Sequence, residues 1–309
     1  MIESGTEKIL KESMGLKKDE TLLIITDPKM YPIASKMYQI SQKFSDEPIL
    51  ILMKEREHNG EEPPKPVSVA LENSDVSLLA TTKSLTHTEA RRRASERGTR
   101  IASMPGVTEE MFSTGLQVDY QKMSREIDDL LKILKGSKYV RITAPNGTSI
   151  SFSIQDRVWY TDKGIYRNPG DFGNLPAGEV FIAPVEGSAN GTLVFEGFDD
   201  YGDVRLEVRN GFVTEISGSE KLEEDLERIE NSRNIAEFGI GMNPNAILTG
   251  KTLQDEKVKG TIHIALGSNI FFGGTTKSSF HMDGIIKEPT VYIDNTKLME
   301  NGKFPHQQE

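Results

Sequence analysis

Over the first ~125 residues short apolar runs alternate with helical stretches, and this alternation limits the fold more than any other feature of the sequence. Thr21 to Thr26 (TLLIIT), Pro48 to Met53 (PILILM), Asp75 to Thr81 (DVSLLAT) and Arg100 to Ser103 are strand candidates. Between them, Tyr31 to Phe44, Val67 to Leu71 and Thr88 to Glu96 read as helices. In the first of these Ile33, Met37 and Ile40 share a face. Buried strands separated by helices and short turns predict a parallel sheet flanked by helices. Thr86 and Glu89, three apart before a helical stretch, have the spacing of a capping box. The polar stretch Lys54 to Pro66, with Pro63, Pro64 and Pro66, reads as a loop. No glycine-rich phosphate loop follows the first strand, so no motif supports a dinucleotide-binding domain.

The pattern then changes. Tyr120 to Leu134 is an amphipathic helix through Met123, Ile127, Leu130, Leu131 and Leu134, with Gly136 placed as its C-cap. Beyond it, Tyr139 to Thr143 and Ser149 to Ile154 flank Asn146-Gly147, while Val204 to Val208 and Val213 to Ile216 flank Asn210-Gly211. Asn-Gly between alternating strands signals a hairpin. One helix, roughly Glu220 to Ile229, interrupts this β-rich half. The expected organisation is an α/β N-terminal domain, 1–135, and a β-rich α+β C-terminal domain, 136–309, bearing a metal site.

The chain has no cysteine, so any metal must be held by nitrogen and oxygen donors. A formal net charge of −10 disfavours nucleic acid as a general partner. No apolar run approaches the ~20 residues of a membrane helix, and Met1 to Gly15 is charged and lacks a signal-peptide core. A cytoplasmic protein without a membrane partner is expected. The cluster Arg91-Arg92-Arg93 reads as a solvated helix face or an ion-pair network.

Of the five histidines, His58 and His306 lie in polar surroundings and read as bystanders, and His87 as a local hydrogen-bonding residue. In Phe280-His281-Met282-Asp283, strand alternation puts His281 and Asp283 on one face. In GTIHIALG (260–267), Ile262, Ile264 and Leu266 share the apolar face, so His263 projects from the other. Two histidines and one carboxylate match a zinc-type site and equally the facial triad of non-haem iron. Glu179 lies in NLPAGEVFIAP (174–184), where a turn leads into a short β run. Glu237 lies in IAEFGIG (235–241), between an apolar residue and a glycine-rich turn. A carboxylate buried in such company must be paired, protonated or bound to a cation.

Taken in order, NLPAGEVFIAP, RNIAEFGIGMNP, GTIHIALG and FHMDG resemble the thermophilic metallo-aminopeptidase family, the aminopeptidase T/S group. The stretch 85–112 (LTHTEARRRASERGTRIASMPGVTEEMF) is similar to the N-terminal domain of its short archaeal members. The resemblance implies a homodimeric, metal-dependent aminopeptidase, a hydrolase in which a metal-activated water attacks the N-terminal peptide bond. It implies Glu179, Glu237, His263, His281 and Asp283 as ligands of one or two divalent ions (zinc, cobalt or manganese), with Glu179 or Glu237 also moving the proton. The family's tyrosine ligand, seven residues after the first metal histidine, is replaced here by Ile270. Ring-cleaving dihydroxypyridine dioxygenases share this fold, and their ferrous site of two histidines and an aspartate also fits His263, His281 and Asp283. A mononuclear Fe(II) dioxygenase and a non-catalytic metal-binding relative are therefore the alternatives, with a peptide or another small molecule as substrate.

Overall fold

The parallel sheet expected of the first half is present in the computed structural model, which describes residues 1–305; His306 lies outside the described residues. Strands β1 (Thr21–Thr26), β2 (Glu47–Leu52), β3 (Val76–Ala80), β4 (Arg100–Ser103) and β8 (Phe172–Asn174) pair in the order β2-β1-β3-β4-β8, all in parallel. Helices α1 (Ile2–Lys8), α2 (Tyr31–Ser41), α3 (Lys65–Leu71) and α4 (Glu89–Glu96) lie in the same half of the chain. Leu23 and Ile25 of β1, Leu79 of β3, Ile101 of β4, Leu71 of α3 and Ala90 and Ala94 of α4 bury one continuous apolar cluster. The fold class is thus the one the alternation predicts.

The start of α4 differs from the expected capping box. Its N-cap is Thr88, whose side chain accepts from the Arg91 amide. The Glu89 and Ala90 amides donate to Glu62. Thr86 instead bonds the Ser103 hydroxyl at 2.8 Å. Arg92 pairs with Glu89 and Glu96 along the helix, and Arg93 with Glu72. Arg91 departs from the solvated reading: its guanidinium lies 3.8 Å over the ring of Phe172, and Nε donates to the Thr86 carbonyl.

The other described strand pairings are antiparallel. One sheet has the order β12-β11-β10-β6-β5-β16-β17, from β5 (Tyr139–Thr143), β6 (Ser149–Ser153), β10 (Asn190–Phe195), β11 (Val204–Arg209), β12 (Phe212–Ser217), β16 (Thr290–Ile293) and β17 (Thr296–Met299). Asn210 and Gly211, both at positive φ, form the turn between β11 and β12, as their sequence predicts. The other sheet has the order β15-β14-β13-β9-β7, from β7 (Tyr160–Asp162), β9 (Glu179–Ile182), β13 (Ile235–Gly241), β14 (Ile262–Gly267) and β15 (His281–Ile286). The two sheets pack face to face. Phe152 of β6 meets Phe238 of β13 edge-on at 5.5 Å, and the ring of Phe195 lies where a side chain on Gly284 would stand. Helices α5 (Tyr120–Leu134), α6 (Glu220–Arg228) and α7 (Thr252–Asp255) complete the described α-helices.

By compactness the chain divides into one unit of residues 1–124, 162–177 and 243–247, and another of 125–161, 178–242 and 248–305. A single boundary near residue 135 is a simpler division than this, because the chain returns twice to the first unit. Among the described residues no helix is long and apolar enough to cross a membrane.

Candidate metal centre

All five expected site residues lie in the second unit, on four adjacent strands of one sheet. In the register, Gly239 stands opposite both His263 and Phe181, Glu237 opposite Ala265, Ala265 opposite Asp283, Gly267 opposite His281 and Gly241 opposite Glu179. Paired residues share a face, so Glu179, Glu237, His263, His281 and Asp283 all project from the side of the sheet opposite Phe238 and Ile264.

Two local devices put them there. The segment read as a glycine-rich turn, Gly239 to Gly241, is strand, and β13 is buried throughout. Glycine at 239 is required because a Cβ there would lie 1.9 Å from His263 Nε2; the imidazole occupies the space of the missing side chain. The second device is a β-bulge. Ile235 pairs with Leu266 but Glu237 pairs with Ala265, so one extra residue, Ala236, shifts the strand's phase. Were the same residues paired without the bulge, Glu237 would stand opposite Ile264 and point into the apolar layer.

The donor atoms converge. His263 Nε2 lies 3.5 Å from Glu237 Oε1 and 3.6 Å from Glu179 Oε2. His281 Nε2 lies 3.4 Å from Glu237 Oε2 and 3.7 Å from Asp283 Oδ2. Ligand atoms of Glu237, His263 and Asp283 fall within 4.8 Å of one another, a set able to hold a metal ion. Two donors each ~2.1 Å from a shared ion stand about 3.0–3.4 Å apart, so small closures would suffice. His281 Nδ1 donates to the Ser268 carbonyl at 2.9 Å, so Nε2 is the ring nitrogen turned to the carboxylates. His263 Nδ1 is buried with no hydrogen-bond partner among the described residues, so its ring is placed by packing over Gly239. The residues present fit a divalent ion.

The electrostatics agree. Burial alone would lower both imidazoles, but the facing carboxylates hold His263 up at about 9 and His281 at about 10. Burial would raise the Glu237 carboxyl, yet the two histidines reverse that and keep it ionised. In the absence of metal, protons on the histidines balance the carboxylates; a cation would replace them.

Two neighbours carried no signal in the sequence. Lys257 is 1% exposed, and its Nζ lies 2.5 Å from Glu179 Oε1 and 2.6 Å from Glu256 Oε1. A lysine in a polar run reads as solvated, and only the fold shows otherwise. Beside His281 stands an aromatic row: Phe272 meets His281 edge-on at 5.8 Å, Phe181 meets Phe272 at 5.8 Å, and Tyr160 stacks on Phe181 at 5.7 Å. The loop carrying Phe272 is tied down by Glu186, which accepts from Asn269 Nδ2 at 2.9 Å and the Thr275 amide at 2.7 Å and pairs with Arg157. His58 and His87 are exposed and take no part in the cluster.

A model of the family described as 2,5-dihydroxypyridine 5,6-dioxygenase (NicX) matches residues 33–306. The curated 2,5-dihydroxypyridine 5,6-dioxygenase of Pseudomonas putida KT2440 is 26% identical over 258 residues, 75% of this chain and 71% of that protein. The solved structure of the 2,5-dihydroxypyridine dioxygenase from the same organism superposes with a TM-score of 0.83 at 19% identity, covering 99% of this chain and 97% of the other. Wild-type AmpT from Thermus thermophilus superposes with a TM-score of 0.74 at 16% identity, covering 98% of each chain. The likeness to AmpT is one of fold. The expected aminopeptidase, a hydrolase and metalloprotease, is overturned by the family match and the curated relative. The site offers physical reasons too. Ile270, where the peptidases have a tyrosine ligand, is 44% exposed and has no donor atom, and one oxygen of Glu179 is engaged by Lys257.

Proposed function

This chain belongs to the 2,5-dihydroxypyridine 5,6-dioxygenase family, and from that premise we propose that it is a ferrous dioxygenase that opens a hydroxylated pyridine ring. The observation that carries this reading is the family match along most of the chain, and the two imidazoles and carboxylates beside an aromatic row are a donor set in keeping with it.

His263 and Asp283 would hold the ion, with His281 and Glu237 completing the set. A divalent ion suits a site with two carboxylates facing two neutral imidazoles, because the charges then balance. When bound, Fe(II) supplies the open positions and one-electron chemistry that join an organic ring to dioxygen. The protein's part is to hold and orient. Phe272 and Phe181 give a flat ring an aromatic surface next to His281. Glu186 and Arg157 fix the loop that presents Phe272. In the overall reaction the C5–C6 bond of the ring breaks and both atoms of one O2 enter the product. The ring supplies all four electrons, so no separate reductant is needed.

The test is oxygen uptake. Protein loaded anaerobically with Fe(II) should consume one O2 per 2,5-dihydroxypyridine, with loss of the ring's ultraviolet absorbance. A demonstrably loaded protein that takes up no oxygen with this or any related hydroxypyridine or hydroquinone would rule the reading out.

A further inference from the structure

The acidic face of the sheet holds more carboxylates than one divalent ion needs. Glu179, Glu237, Glu256 and Asp283 all lie within the cluster, and Glu179 connects its two parts: Oε2 faces His263 at 3.6 Å while Oε1 faces Lys257 at 2.5 Å. Glu256 Oε1 lies 2.6 Å from the same ammonium. The Lys257 ammonium is therefore seated between two buried carboxylates, as a second metal ion would be.

The backbone shows that this placement is built. Gly241 stands opposite Glu179 in the register, and a Cβ at Gly241 would lie 2.1 Å from the Val258 carbonyl oxygen. Segment 256–258 can therefore run directly against β13 and deliver its lysine to Glu179. The alternation Glu237, Gly239, Gly241 thus serves twice: the first glycine makes room for His263 and the second for the strand-side approach of Lys257. The other lysines whose ion pairs are described are considerably more exposed than Lys257. An ammonium so fully removed from water is retained only where carboxylates compensate it.

We propose that Lys257 is a built-in cation that limits the centre to one metal ion, because its ammonium occupies the position between Glu179 and Glu256 that a second ion would take. The inference rests on the metal centre but not on the reaction performed there. A divalent ion on His263 would stand beside Glu179 Oε2, whose other oxygen already faces the ammonium, so a second divalent ion is excluded by both space and like charge.

The test is a zinc count on the full-length protein, stripped with chelator, reloaded with Zn2+, desalted and measured by elemental analysis. One ion per chain is expected for the native protein and for Lys257→Arg, and two for Lys257→Ala. Two ions in the native protein, or one in a folded Lys257→Ala, would overturn the proposal. Should Lys257→Ala fail to fold without metal, refolding in Zn2+ decides the matter. Recovery of a native-like melting transition with two ions per chain supports the proposal, and failure of millimolar zinc to restore it overturns it. No ion in any variant would overturn the metal centre itself, a result distinct from the other two.

Discussion

The His263 imidazole lies directly over Gly239, at a distance that leaves no room for even one added carbon: a Cβ there would stand 1.9 Å from Nε2. This pairing turns a strand glycine into a determinant of the metal centre.

Gly239→Ala should accordingly displace His263 while sparing the fold, since Gly239 is not among the glycines held at positive φ. Metal affinity is expected to fall at least ~10–100-fold, the range typical when a ligand loses its support. Elemental analysis with far-ultraviolet circular dichroism checks both halves of the expectation. Full metal content in the variant would count against it.

Metal uptake should be proton-coupled. His263 and His281 are held up at about 9 and about 10 in the metal-free protein, above the ordinary value of 6.5. At pH 7 both carry protons that an incoming ion must displace, so affinity should rise from pH 6 to pH 9. The same raised values stabilise the metal-free fold fully below pH 6.5, and this contribution is lost as pH passes through 9 to 10. Chelator-treated protein should therefore lose melting temperature between pH 7 and 10, by more than metal-loaded protein does. Calorimetry with and without chelator measures the difference.

Glu186→Ala removes the acceptor shared by Asn269, Thr275 and Arg157. Local stability of the 268–280 loop should fall by about 1–3 kcal/mol, the cost of leaving the buried Asn269 amide without this acceptor. Limited proteolysis should then cut within 268–280, and KM should rise more than kcat falls, with the metal count unchanged.

Phe272→Ala should weaken binding of a ring substrate. An aromatic contact contributes about 0.5–1.5 kcal/mol beyond its area, so KM should rise by up to about tenfold while metal content stays constant. An unchanged KM would remove Phe272 from the substrate's surroundings.

Thr88→Ala separates stability from chemistry. Loss of the N-cap bond to the Arg91 amide should cost about 1 kcal/mol, read as a lower melting temperature with activity per loaded site preserved. Thr86→Ala, at the position that the spacing alone suggested as the cap, should not remove this bond.

The sequence pattern made the architecture legible wherever period and turn chemistry agree. The strands around the N-terminal helices and the Asn210-Gly211 hairpin are local signals, and each appears within a residue or two of its expected bounds, although β2, expected to be buried, is a largely exposed edge strand. The cap of α4 was displaced by two residues because Thr88 and Thr86 are both competent, and only the tertiary bond from Thr86 to Ser103 decides between them. His281 and Asp283 could be placed on one face from alternation alone. Lys257 could not, since its burial comes from a backbone approach across Gly241 that no local pattern encodes. Nor could the true neighbourhood of Glu237, because glycines in an apolar run resemble a turn until the strand's partners are known. The chemistry was the least legible part. The same donors serve hydrolysis and oxygenation, and the chain-long family match separates the two.

The bulge at Ala236 has a consequence for how this strand can change. An unbroken pairing that kept Ala236 would stand Glu237 opposite Ile264 and turn its carboxylate into oil, whereas loss of Ala236 would leave Ile235 opposite Leu266 and Glu237 opposite Ala265. The phase of residues 237 to 241 against β14, rather than any atom of Ala236, is thus what the metal centre depends on. In descendants of this chain Ala236 should therefore be free to vary or to be lost, while the spacing from Glu237 through Gly239 to Gly241 should be kept.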